Sequence, residues 1–160
     1  MQPKIITTRP MTLVGLKTEM NFSKNKTVEL WQTFMSKKHL VNAKNSGLFS
    51  VEVYPDVSFF EVFNPTKSFE KWAAVEIEVN QNFPKEMKLL EIAAGLYAKF
   101  NYRGKPSDVP TFYSEIFSEW FPNSEYKLAS CPHFAIMGEK YKGEHRDSEE
   151  EIFIPIERKA

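Results

Sequence analysis

The chain has 160 residues and equal numbers of basic and acidic side chains, 21 Lys+Arg against 21 Asp+Glu. That length favours one domain whose core needs neither disulfides nor a structural metal, and the charge balance leaves no basic field to hold a nucleic-acid backbone. Cys131 is the only cysteine, so an internal disulfide is excluded, which fits a reducing cytosol; the residue itself reads as a small buried apolar side chain rather than a catalytic thiol. The N-terminal stretch has no apolar run of the secretory kind and nothing approaches bilayer-spanning length, so a soluble cytoplasmic protein without membrane contacts is expected. Aromatic residues are abundant, with 14 Phe, 6 Tyr and 3 Trp, more than filling a small core requires.

Residues 5–20 read as extended chain interrupted at Pro10. After a polar turn, Thr27 is placed as the N-cap of a helix over 28–35, with Leu30, Trp31, Phe34 and Met35 on one face and Lys37 and Lys38 at its C-terminal end. Strands are expected over 48–54, 57–63 and 72–79, with Ala73, Val75, Ile77 and Val79 on one side of the last and Trp72, Ala74, Glu76 and Glu78 on the other. Residues 87–90 and 92–102 give further strand material broken by Gly95. A second helix is predicted over 109–120, with Pro110 tolerated in its first turn and Phe112, Ile116 and Trp120 at helical spacing. Strands over 134–141 and 150–157 finish the chain, separated by a charged loop.

Each half, about residues 1–83 and 84–160, thus reads strand, helix, strand, strand, which suits an internal duplication. Two such βαββ units join most simply into one antiparallel sheet with both helices on one side. The fold class is therefore α+β, a single domain with a ligand cleft where the halves meet.

The segment 148–156 carries the sharpest chemical pattern. By strand alternation Ile152, Ile154 and Ile156 share one face, read as core, while Glu151, Phe153 and Pro155 share the other. A carboxylate beside an aromatic ring suits apolar cations. Trp72 with Glu76, a weaker rival acid, repeats that pairing in the first half. Tyr54, Tyr97, Tyr113, Phe117 and Trp120 are the remaining candidate cleft residues, although Trp120 at helical spacing also reads as core. Other chemistry is poorly supplied: His39, His133 and His145 lack metal-ligand spacing, the six glycines form no phosphate loop, and no nucleophile elbow is present. No cofactor or metal is expected.

These residues resemble the GyrI-like domain, also called the AraC-type effector-binding domain. The resemblance rests on Gly95 to Gly104, Trp120 to Ser124, Pro132-His133-Phe134 and Glu150 to Ile156, together with Leu30-Trp31 and Trp72 to Glu76. It implies two βαββ repeats about a pseudo-two-fold axis. In multidrug-responsive bacterial transcription regulators such a domain is joined to a helix-turn-helix module and receives lipophilic cations on a glutamate within an aromatic pocket. The resemblance places Glu151 at that glutamate, with Phe153 where the family often has Tyr or Trp. Two βαββ repeats leave no room for a DNA-binding module, so an effector-binding role would act through a separate regulatory protein or by sequestration. Two alternatives stand beside it: hydrolysis of strained, cyclopropane-type electrophiles with Glu151 as catalytic general base on water or as stabiliser of a developing positive charge and Tyr97 or Tyr113 as hydrogen-bond donor to the leaving group, and inhibition of a protein partner such as DNA gyrase.

Overall fold

The computed structural model describes residues 2–160. Strands β1 (Lys4–Thr7), β2 (Met11–Met20), β3 (Leu48–Val53), β4 (Phe69–Glu76), β5 (Lys88–Ile92), β6 (Leu96–Arg103), β7 (Tyr126–Leu128), β8 (His133–Met137) and β9 (Glu149–Arg158) pair antiparallel throughout. Their order is β1-β6-β9-β8-β3-β4-β2-β5, with β7 attached to β9. The connectivity β2-helix-β3-β4 is followed by β6-helix-β8-β9, and the strand order reads alike outward from the central β3–β8 pair.

Two short links bend this sheet. In a flat sheet the six strand steps from β1 to β2 would cover about 29 Å, whereas the link Thr8-Arg9-Pro10 reaches about 15 Å at most. The link Ala93-Ala94-Gly95 imposes the same limit between β5 and β6. The sheet therefore curls, and its inner face is filled from opposite ends by Leu13, Ile92, Tyr97, Phe49, Val51, Trp72, Phe134 and Phe153.

Both helices lie on the outer face. Helix α1 (Thr27–Lys37) buries Leu30 and Phe34 against Val14, Ala73 and Val75. The expected apolar stripe is narrower than read, since Met35 is 48% exposed. The helix starts at Thr27 rather than being capped by it, because Asn25 Oδ1 accepts the Thr27 N–H at 2.9 Å. Helix α2 (Val109–Glu115) continues into a π-type turn over Ile116–Trp120 and a last turn at Phe121–Asn123. It covers Ala98, Phe100, Ile152 and Ile154.

Other sequence expectations change as well, and Cys131, read as buried, is exposed. Residues 57–63 are not a strand: Val57–Phe60 form a 3-10 turn, because the Asp56 carboxylate accepts the Ser58 N–H and hydroxyl and Phe59 folds inward onto Met20 and Phe69. Strand β7 was not anticipated, since three residues are too few for alternation to register. Glu76 is buried and already partnered: Asn45 donates to it at 3.0 Å, and Arg9 and Lys44 stand 3.6 and 4.0 Å away.

Gly15 marks the tightest crossing. A Cβ there would stand 2.0 Å from the Ala73 carbonyl oxygen and 2.7 Å from Ala74 Cα, both backbone atoms. Gly15→Ala should lower unfolding free energy by at least about 2 kcal/mol, read as a reduced urea midpoint at unchanged slope.

Candidate functional site

Alternation assigns the side chains of each central strand. Phe49 and Val51 point into the curled interior, so Ser50, Glu52 and, beyond the strand end, Tyr54 face the helices. By the same rule Lys71 and Ala73 of β4, His133 and Ala135 of β8, and Glu150 and Ile152 of β9 share that outer face. Ser50 and Ala135 are register partners, and both remain half-buried in the middle of the sheet. These small side chains lie on the strip of outer face between the flanks covered by α1 and α2, called the trough below.

One end of the trough is aromatic. The Tyr54 ring lies 4.8 Å from the His133 ring at 76°, and Phe60 lies 5.7 Å from His133 at 28°. Phe60 stacks on Phe117 at 4.5 Å and 13°, joining the turn after β3 to the π-type turn after α2. Tyr113 Oη stands 3.5 Å from His133 Nδ1. The π-type turn adds one residue per turn, and such insertions often re-aim side chains at functional sites. A surface crevice lined by Val53, Asp56, Cys131 and Pro132 opens beside Tyr54 and His133.

The floor carries three charged groups. Lys71 Nζ lies 2.5 Å from Glu52 Oε2, with side chains only 12% and 16% exposed. Glu150 makes no ion pair among the described residues. Burial, reinforced by the Glu52 charge and opposed by Lys71, raises its pKa to about 7. Burial lowers His133 to about 3, so the imidazole is neutral at physiological pH. Burial likewise raises Tyr113 and Tyr54 well above the phenol range, with the Glu52 charge adding to both, so their hydroxyls keep their protons. The Glu150 charge also contributes to the raised pKa values of Tyr113, Tyr102 and Tyr141.

The structure divides the sequence candidates between two faces. Tyr54, Tyr113 and Phe117 meet around His133. Glu151 does not join them: it lies on the other face, its carboxylate 2.5 Å from Lys99 Nζ and 41% exposed. Phe153 stacks on Phe134 at 4.5 Å inside the curled sheet. Tyr97 is buried beside them and donates its hydroxyl to the Pro132 carbonyl at 2.8 Å. Trp72 is on that inner face too, its indole N–H donating to Glu70 at 2.6 Å. Trp120 is core, packed edge-on to Phe100 and stacked over Tyr126.

Sequence reading passed over Glu150, Glu52, Lys71, His133 and Phe60. A signal for Glu150 was present: it shares the alternating face of Ile152 and Ile154, where a carboxylate extends an otherwise apolar row. The Ile face serves as core under α2 and as trough floor beyond it, so treating it as core alone shifted attention to the neighbouring residue.

The described residues hold no group of three or more His, Cys, Asp or Glu arranged for a metal ion, and no helix is long and apolar enough to cross a membrane.

Comparison with solved structures gives close agreement in fold at low identity. The structure of SAV2435 bound to tetraphenylphosphonium superposes with a TM-score of 0.73 at 17% identity, over 98% of this chain and 94% of that one. The EcmrR C-terminal domain gives 0.70 at 13% identity over 99% and 98%. A protein from Listeria innocua described as a hydrolase gives 0.63 at 7% identity over 98% and 92%. No curated protein sequence matches the chain. The GyrI-like small molecule binding domain model, however, matches residues 1–157, and with the curled sheet and its two outer helices this establishes that the chain belongs to the GyrI-like family.

Proposed function

We propose that the chain is an effector-binding module for hydrophobic, cationic or planar aromatic small molecules, held in the trough between α1 and α2. A half-buried, unpaired carboxylate, Glu150, on a floor walled by aromatic rings carries this assignment. Apolar burial against Tyr54, Phe60, Tyr113 and Phe117 supplies most of the attraction. A cation resting on these rings gains about 0.5–2 kcal/mol per contact, more as water is excluded, and Glu150 supplies the opposite charge in a low-dielectric setting. Tetraphenylphosphonium in the similar SAV2435 structure supports the ligand class. Phe60 and Phe117 roof the aromatic end, so a bulky ligand must part their stack.

A second assignment has its own support. Glu150 titrates near neutrality and lies within electrostatic reach of the Tyr113 hydroxyl, which stays protonated. Such a pair suits general-base attack of water on a strained electrophile with Tyr113 donating to the leaving atom. The hydrolase from Listeria innocua shares the fold. Chemical recovery of a cyclopropane-type electrophile after incubation distinguishes the two: intact compound leaves a binder, while Glu150-dependent ring opening makes an enzyme.

Titration with tetraphenylphosphonium, followed by tryptophan fluorescence, tests the site itself. Glu150→Gln should weaken binding about tenfold, as removal of one opposite charge near a buried cation predicts, whereas Glu151→Gln on the other face should change it little. Equal loss in both variants, or loss only at position 151, overturns the placement of the acid.

The same titration has a defined pH dependence. Glu150 is protonated and neutral below about 7, so cation affinity should climb as pH rises from 5 towards 7 and level off above. The cation favours the ionised form, so the midpoint in the complex should fall below that of the free protein. A neutral planar ligand should show no such rise.

A further inference from the structure

The geometry points to Lys71 as a tethered counter-ion that restricts the trough to ligands carrying one positive charge. This inference rests on the trough being the ligand site. Lys71 and Glu52 are register partners on neighbouring strands, and their 2.5 Å contact is the most enclosed of the ion pairs described. Its counterparts Lys17–Glu70 and Lys127–Glu157 are exposed and stand at 3.4 and 3.3 Å. Buried ion pairs are often replaceable by apolar residues of like volume without loss of stability, so an enclosed pair is weak evidence of a purely structural role. Separating its members is costly, because each would be left unpaired in a poorly solvated floor. Lys71 therefore stays on Glu52 and cancels it.

Three charged side chains on the floor then act as one. The pair is neutral, and Glu150 is the single carboxylate left for a ligand. Lys99 and Glu151 sit on the opposite face and contribute nothing here. One ligand charge meets Glu150. A second would approach Lys71 with no carboxylate free to receive it, and would be repelled. Without Lys71, Glu52 becomes a second free acid and the same trough accommodates a dication.

Ethidium and propidium share a phenanthridinium ring system and differ by one quaternary ammonium arm, so they separate charge from ring binding. Fluorescence titration above pH 8, with Glu150 ionised, should show the native protein binding ethidium at least as well as propidium. Lys71→Gln should move the affinity ratio about tenfold towards propidium, the scale of one added charge contact in a partly buried site. The double variant Glu52→Gln, Lys71→Gln restores the floor charge and should return the ratio to that of the native protein. If Lys71→Gln fails to fold, Glu52→Gln alone, which leaves Lys71 uncancelled, should weaken propidium more than ethidium. An unmoved ratio with Glu150-dependent binding intact overturns the role of Lys71 and leaves the trough standing. Absence of Glu150-dependent binding of either dye, in the native protein and in Lys71→Gln, removes both.

Discussion

Two three-residue links, Thr8-Arg9-Pro10 and Ala93-Ala94-Gly95, hold the ends of the strand order closer than a flat sheet allows. The curl they impose gives the two faces of the sheet different work. The inner face closes over Phe49, Val51, Trp72, Phe134 and Phe153 and becomes a core that needs no helix above it. The outer face takes both helices, which cover its flanks and leave the central β3–β8 rungs open. Gly15 belongs to the same constraint, since its strand passes β4 where no side chain fits.

Within the trough, desolvation governs the chemistry. It keeps His133 neutral, keeps Tyr54 and Tyr113 protonated, and brings Glu150 to the edge of ionisation at neutral pH. The neutral imidazole can therefore sit among aromatic rings without importing an unpaired charge. Glu52 is held in an enclosed ion pair with Lys71. The result is a floor of low net charge beside aromatic rings, with one carboxylate at the edge of ionisation near neutral pH.

The aromatic end joins distant parts of the chain. Phe60 comes from a 3-10 turn stabilised by the Asp56 side chain, and Phe117 from a π-type turn. Neither turn is legible by periodicity: hydrophobic residues 57–63 look like a strand, and a single extra residue in a helical turn leaves no mark in spacing. Tyr54, Tyr113 and Phe117 were accessible as candidates because each ends or flanks an amphipathic element. Alternation sets Glu150 on the Ile152/Ile154 face and Glu151 on the Phe153 face, but only packing says which of the two acids is enclosed.

Sequence by itself determined the α+β class, the order of nearly all the strands and both helices, and the division of β9 into an Ile face and a Glu151/Phe153 face, because hydrophobic periodicity reports local geometry directly. Tertiary structure decided which face is which. Alternation is symmetric under exchange of the two sides of a strand, and both sides of this sheet are buried, one by curling and one by helices. Only the long-range pairing of β1 with β6 and β2 with β5, closed by short links, breaks that symmetry and puts Glu150 on the helix-bearing face and Glu151 beside Lys99.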